Sequence, residues 1–141
     1  MNEYRFEDIK VGLEEQFCVT VTEQMLNQFA QITGDLNPLH HEEQFAQAQG
    51  HPGRVAFGML TASFLSTLAG VYLPGRYSLI HEVETKFPKP VYIGDELTVK
   101  GSVTERNETF RFFAMKVVIT NQKNEKVLRG KMKVGFLNES I

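Results

Sequence analysis

Ile32-Thr33-Gly34-Asp35-Leu36-Asn37-Pro38-Leu39-His40 is the stretch from which the rest of the chain is read. A helical pattern runs into it, glycine breaks that pattern, and an acid and a base follow five positions apart. Pro38 has no backbone N–H to donate, and it pushes Asn37 toward extended conformations. Asp35 and His40 therefore stand on a bent, partly rigid segment, not on one face of a continuous helix. Such a segment can aim both side chains into one cavity, where a carboxylate and an imidazole divide general acid and general base work. Gly-Asp and Asn-Pro are also ordinary turn formers, so a loop with a helix cap is the competing reading.

Upstream, Thr22 is placed to cap a helix, with Glu23 in the first turn where negative charge is favoured. Met25, Phe29 and Ile32, with Leu26 beside them, fall on one helical face and read as core. Gly34 suits the left-handed position that ends a helix. Before this helix, Gln16 to Val21 alternates as a short strand does, with Cys18 on the side away from Phe17, Val19 and Val21.

Downstream, His41 to Gln49 has helical composition, and Gly50-His51-Pro52-Gly53 signals a loop. His41 and His51 are expected as solvated loop or helix-end residues. No two histidines stand at ligand spacing with a supporting carboxylate pattern, so no metal site is expected. Phe57 to Tyr72 is apolar nearly all round and is expected to be buried nearly all round. Its small residues, Gly58, Ala62, Ser63, Ser66, Ala69 and Gly70, allow a sheet to wrap closely around it. The N-terminus of that helix, near Gly58, offers unpaired N–H groups and a partial positive charge that would polarise a carbonyl oxygen. Close packing explains Gly58 equally well.

Pro74-Gly75 ends the long helix, and the remainder reads as strands: Ser78 to Phe87, Glu96 to Thr104, Phe110 to Thr120 and Lys126 to Leu137. A turn is expected at Asn121 to Asn124, Lys131 and Lys133 should face solvent, and His81 reads as structural or partly exposed. The order predicts an α+β domain in which an antiparallel sheet wraps around one long central apolar helix.

A length of 141 residues suits one domain, and 42% hydrophobic against 23% charged residues allows a real core. The net charge of -2 and the lack of a lysine-arginine block argue against a nucleic-acid partner, although a few local basic groups can still hold a negatively charged ligand. With Cys18 as the one cysteine, no intrachain disulfide and no cysteine-based metal site can form. That fits a reducing compartment, and the polar stretch Met1 to Lys10 lacks the apolar core of a signal peptide. A cytoplasmic location is expected. Hydroxyl and glycine residues interrupt Val55 to Leu73, which favours a buried helix over a membrane span.

These residues together resemble the MaoC-like, hot-dog-fold family of (R)-specific enoyl-CoA hydratases. The family pattern Gly-Asp-x-Asn-Pro-x-His is matched by Gly34 to His40, and its glycine-containing start of the central helix by Phe57-Gly58-Met59-Leu60-Thr61-Ala62-Ser63. Leu73-Pro74-Gly75 and Lys86 to Glu96 add to the match, which spans about Thr22 to Val134. The resemblance implies a single MaoC-like hot-dog domain over 1–141. It implies that Asp35 and His40 hold one water and add it reversibly across the double bond of a trans-2-enoyl thioester, giving an (R)-3-hydroxyacyl thioester. The Gly58 N–H would bind the thioester oxygen, Ser63 would help orient the acid, and Asn37 and Phe57 would contact substrate. An acyl-CoA or acyl carrier protein thioester is the implied partner, with no metal or organic cofactor. A homodimer with each site near the shared interface is also implied. Phe110, Phe112 and Phe113 are equally readable as interface or as packing within one copy. Phe57 stands where family members often carry histidine. The alternatives are a thioesterase on the same fold and a non-catalytic thioester-binding subunit, for which Phe57 is the best support.

Overall fold

The structure is a computed structural model that describes residues 1–138. Its elements are β1 (Glu14–Thr20), α1 (Glu23–Thr33), α2 (Pro38–His41), α3 (Glu43–Ala48), α4 (Gly58–Thr67), β2 (Ser78–Lys86), β3 (Glu96–Asn107), β4 (Phe112–Thr120) and β5 (Lys126–Phe136). The five strands form one antiparallel sheet in the order β1-β3-β4-β5-β2. The expected α+β hot-dog arrangement is the one that forms.

α1 begins and ends where local chemistry dictates. The Thr22 hydroxyl accepts the Met25 N–H at 3.2 Å, and Gly34 closes the helix in the left-handed region at φ 72° with its N–H bonded to the Ala30 carbonyl. Such a cap contributes about 1 kcal/mol. The buried stripe, however, is Leu26 and Ala30, with Met25 and Phe29 partly buried. Ile32, expected in the core, is 81% exposed. It is the last apolar residue of the helix, past the point where α1 leaves the core.

α4 does not run unbroken to Tyr72. After Thr67 the chain widens into a π-turn over Leu68–Tyr72, and Leu73 donates five residues back to the Leu68 carbonyl. Leu60, Leu65, Leu68 and Ala69 sink into the core against Leu97, Val99 and Val103 of β3, Met115, Val117 and Ile119 of β4, and Met132 of β5. Contact this close needs a glycine opposite. A Cβ on Gly101 would lie 2.9 Å from the Met115 sulfur and 3.0 Å from a Leu68 methyl. The expectation of burial all round fails on one side: Gly58, Met59, Ser63 and Ser66 are exposed, Met59 by 66%.

Alternation along β3, β4 and β5 gives the sheet a core face and an outer face. Lys131 and Lys133 lie on the outer face, as the alternation requires, paired with Glu84 and Glu82 of β2. Phe113 is fully buried and in tilted contact with Phe136, so it packs within one copy, whereas Phe110 is exposed. β2 is an edge strand with a register shift around His81, whose ring lies over Gly135. Among the described residues, no helix is long and apolar enough to cross a membrane.

Candidate active site

The turn from Gly34 to His40 is built from its own polar side chains. The Thr33 hydroxyl accepts the Asp35 N–H, Asp35 Oδ1 accepts the Asn37 N–H at 3.0 Å, and Asn37 Oδ1 accepts the Leu39 N–H at 3.0 Å. Asn37 thereby caps α2, with Pro38 at its first position where a missing N–H costs nothing. Asp35 is exposed, and among the described residues its second carboxyl oxygen has no hydrogen-bond partner.

His40 is half-buried, and its ring is fixed on two sides. Nδ1 donates to the Val55 carbonyl at 2.7 Å. Because a carbonyl can only accept, the proton sits on Nδ1 and Nε2 is left for chemistry. The ring also stacks on Phe57, with centroids 4.2 Å apart and 29° between planes. Phe57 is 2% exposed and is held in turn by Phe29 at 5.0 Å. The structure therefore places Phe57 beneath the histidine.

His41 ends α2 and His51 lies in the loop after α3, as expected, but both are half-buried and have partners. His41 Nε2 donates to the Asp35 carbonyl at 2.9 Å and presents its ring to Phe57 edge-on. His51 Nδ1 shares a hydrogen bond of 2.8 Å with the Tyr92 hydroxyl. Burial, and then the nearby Asp95 charge, push the Tyr92 phenol above its ordinary value. Asp95 is buried and accepts from the Tyr92 N–H and from Gln122 Nε2.

Arg54 is the residue that sequence reasoning missed. Its side chain is 12% exposed, and it donates Nε to the His40 carbonyl at 2.8 Å, Nη1 to Glu23 at 3.2 Å and Nη2 to Asn27 at 2.9 Å. One guanidinium thus ties the turn carrying His40 to the first half of α1. Val55, the next residue, donates its N–H to Leu39 and accepts from the His40 ring. No local pattern marks Arg54, because its partners Glu23 and Asn27 lie 31 and 27 residues away.

Gly58 opens α4, with Phe57 at the N-cap. The first N–H groups of a helix have no acceptor within it and face outward with the positive end of its dipole. A Cβ at Gly58 would touch the Phe87 ring at 3.4 Å, so the exposed start of α4 lies against that aromatic side chain. Ser63 lies on the exposed side of α4 and donates Oγ to the Leu60 carbonyl at 2.6 Å. Among the described residues, no hydrogen bond joins Ser63 to Asp35, and no group of three or more His, Cys, Asp or Glu converges to hold a metal ion. The arrangement offers one open imidazole nitrogen and one open carboxyl oxygen on a braced turn, beside outward-facing backbone donors.

The MaoC like domain model matches residues 7–127. An (R)-specific enoyl-CoA hydratase of Rhodospirillum rubrum is 39% identical over 99 residues, which are 70% of this chain and 69% of that protein. A 3-hydroxybutyryl-CoA dehydratase of Methylorubrum extorquens is 39% identical over 100 residues, 71% of this chain and 64% of the relative. Among solved structures, the (R)-hydratase of Aeromonas caviae involved in PHA biosynthesis superposes with a TM-score of 0.89 at 28% identity, covering 92% of this chain and 98% of that one.

Proposed function

We propose that this chain, which belongs to the MaoC-like family, catalyses the reversible addition of water to a trans-2-enoyl thioester, giving an (R)-3-hydroxyacyl thioester. The observation that carries the reading is the His40 bond to the Val55 carbonyl, which leaves Nε2 for chemistry on the same short turn that carries Asp35. Hydration needs one group to take a proton from water and another to deliver one to Cα. His40 can exchange protons only through Nε2, because Nδ1 is committed to Val55. Asp35 can do so through the oxygen that Asn37 leaves open.

In the forward direction the water oxygen bonds Cβ, a proton is added at Cα, and the electron pair of the double bond passes through an enolate on the thioester oxygen. The outward N–H of Gly58 is the donor assigned to that oxygen, where stabilisation counts most as charge develops. Ser63, assigned by the resemblance to orienting the acid, lies farther along the exposed side of α4 with its Oγ donated to the Leu60 carbonyl. Asn37 keeps Asp35 oriented, and Phe57 supports the imidazole. An acyl-CoA or acyl carrier protein thioester is the substrate class.

A second copy of the chain is the partner that this reading calls for. β2 is an edge strand whose Leu79, Ile80 and Val83 are exposed, and Met59 of α4 is exposed as well. A cytoplasmic setting accords with the one exposed, unbridged thiol, Cys18.

The test is loss of conjugated-enone absorbance across a chain-length panel of trans-2-enoyl-CoA esters, with the product's configuration identified and Asp35→Asn run beside the unaltered protein. Hydration to the (R)-alcohol, falling at least about a hundredfold in a folded Asp35→Asn protein, is expected. Release of free thiol without hydration, or turnover indifferent to Asp35, would overturn the proposal.

A further inference from the structure

We infer that Tyr92 and His51 are positioning residues for the His40 imidazole: together they clasp the loop from His51 to Val55, whose last two residues hold His40. The inference rests on the hydratase reading above and deepens it by naming what aims the ring. Tyr92 meets that loop at both ends. Its hydroxyl lies 2.8 Å from His51 Nδ1, with the two rings tilted by 54° and their centroids 5.9 Å apart. Its main chain forms an antiparallel bridge with Val55, beside which the Ala56 N–H donates to the Val91 carbonyl at 2.7 Å. One residue therefore closes the loop on itself.

Both groups that hold His40 sit inside this closure. Arg54 Nε donates to the His40 carbonyl at 2.8 Å, and the Val55 carbonyl accepts from His40 Nδ1 at 2.7 Å. Where that carbonyl points decides where the imidazole points and which of its nitrogens stays bare. A planar peptide turns only with the backbone dihedrals on either side of it. The bridge to Tyr92 fixes one side. On the other, Pro52 and Gly53 lead back to His51, and glycine is the residue with the most backbone freedom. An anchor at His51 is what stops the loop from pivoting at Gly53. That anchor has two parts: the His51 N–H donates to the Ala46 carbonyl of α3 at 3.0 Å, and the His51 ring bonds to Tyr92.

Tyr92 is itself fixed. The buried Asp95 accepts the Tyr92 N–H on Oδ2 at 3.0 Å and Gln122 Nε2 on Oδ1 at 3.0 Å, while the Asp95 N–H donates to the Tyr92 carbonyl at 3.1 Å. Among the described residues, neither the Tyr92 ring nor the His51 ring has a hydrogen bond or ring contact with His40. They act on it through Val55 and Arg54.

The experiment separates this role from plain loop stability. Tyr92→Phe keeps the ring and removes only the hydroxyl. His51→Leu removes the polar atoms, whereas His51→Asn keeps, where Nδ1 stood, an amide that can accept from or donate to the phenol. These variants and Tyr92→Phe/His51→Leu are measured for kcat and KM with one trans-2-enoyl-CoA ester and for melting temperature. In parallel, NMR on isotope-labelled histidine reads which His40 ring nitrogen carries the proton, with His40→Gln identifying the signals. Tyr92→Phe and His51→Leu should each lower kcat about tenfold or more while KM moves less than about twofold. The double variant should be no worse than either single one, because both remove the same bond. His51→Asn should restore most of the lost kcat. The His40 ring should show one tautomer, with the proton on Nδ1, in the unaltered protein and in His51→Asn, and a mixture in the variants that lose the bond. A kcat unchanged in Tyr92→Phe, losses that multiply in the double variant, or a His40 tautomer that stays single in every variant would overturn the inference. Absence of turnover in the unaltered protein would count against the hydratase reading instead, and the His40 ring signals would then decide the positioning role alone.

Discussion

Arg54 and His40 are joined through the histidine's backbone: the guanidinium donates to the His40 carbonyl at 2.8 Å, while the His40 ring donates to the residue after the arginine, Val55, at 2.7 Å. His40 is therefore held at its main chain and at its side chain by two consecutive residues. Arg54→Met should cost about 1–3 kcal/mol of stability through the unsatisfied partners it leaves, and lower kcat about tenfold or more while KM moves little. Arg54→Lys should restore little, since an ammonium cannot reach three acceptors in the plane of a guanidinium fork. Thermal unfolding and steady-state kinetics on the same samples decide it. Lost stability with an unchanged kcat would leave Arg54 a purely structural residue.

Phe57 separates packing from support of the imidazole. Phe57→Ala should cost about 3–5 kcal/mol, as expected for a large residue removed from a closed core. Phe57→Leu keeps much of the apolar volume and should cost less than about 1.5 kcal/mol. It removes the flat ring on which His40 rests, however, so kcat should fall at nearly intact stability. Equal kcat in Phe57→Leu would show that the stack serves packing alone.

Gly101→Ala tests how closely the central helix sits on the sheet. The added methyl would stand 2.9 Å from the Met115 sulfur and 3.0 Å from Leu68, so a destabilisation of about 1–3 kcal/mol is expected by urea titration. Met115→Ala in the same chain should recover part of that loss, because the two sites share the clash. Strictly additive losses would rule out direct contact as the cause.

Alkaline pH should weaken the fold through two phenols. Folding raises the Tyr92 value by burial and then by the Asp95 charge, and raises the Tyr4 value by its hydrogen bond to Glu15 and then by burial. A raised value in the folded chain means that the unfolded chain releases its proton first. The associated stability is whole below the unfolded value of about 10 and is lost as pH rises through the folded values. Denaturation midpoints should therefore drop above about pH 10, and the drop should be shallower in Tyr4→Phe/Tyr92→Phe. An identical slope in the double variant would assign the alkaline loss to other groups.

The sequence disclosed most where the determinants are local. Thr22 and Gly34 bound α1 as their side chains dictate, the Asp35-to-His40 turn is built from adjacent Asn and Pro chemistry, and the alternation in β3 and β5 puts Lys131 and Lys133 outward. Ile32 misled because helical periodicity gives a face without saying where along the helix the core ends. Ser63 and Met59 appeared buried because a uniformly apolar helix does not reveal which side the sheet leaves uncovered. His41, His51 and Arg54 were illegible for a different reason. Their partners are a backbone carbonyl in the turn, a tyrosine hydroxyl at position 92 and carboxyl and amide groups on α1, and only the tertiary structure brings those together.

The Val55 carbonyl that receives the His40 proton belongs to a residue bridged to Tyr92, and the next N–H, of Ala56, donates to Val91. Gly94 and Asp95 in turn exchange hydrogen bonds with Val21, at the foot of α1, and Arg54 returns from α1 to His40. The bonds close a ring through segments far apart in the chain. A closed ring has no loose end from which to fray, so its amides should exchange with deuterium together, in one cooperative opening, and not residue by residue. Whatever loosens the stretch before β3, even a change that never touches a reacting atom, would unseat the imidazole in the same event.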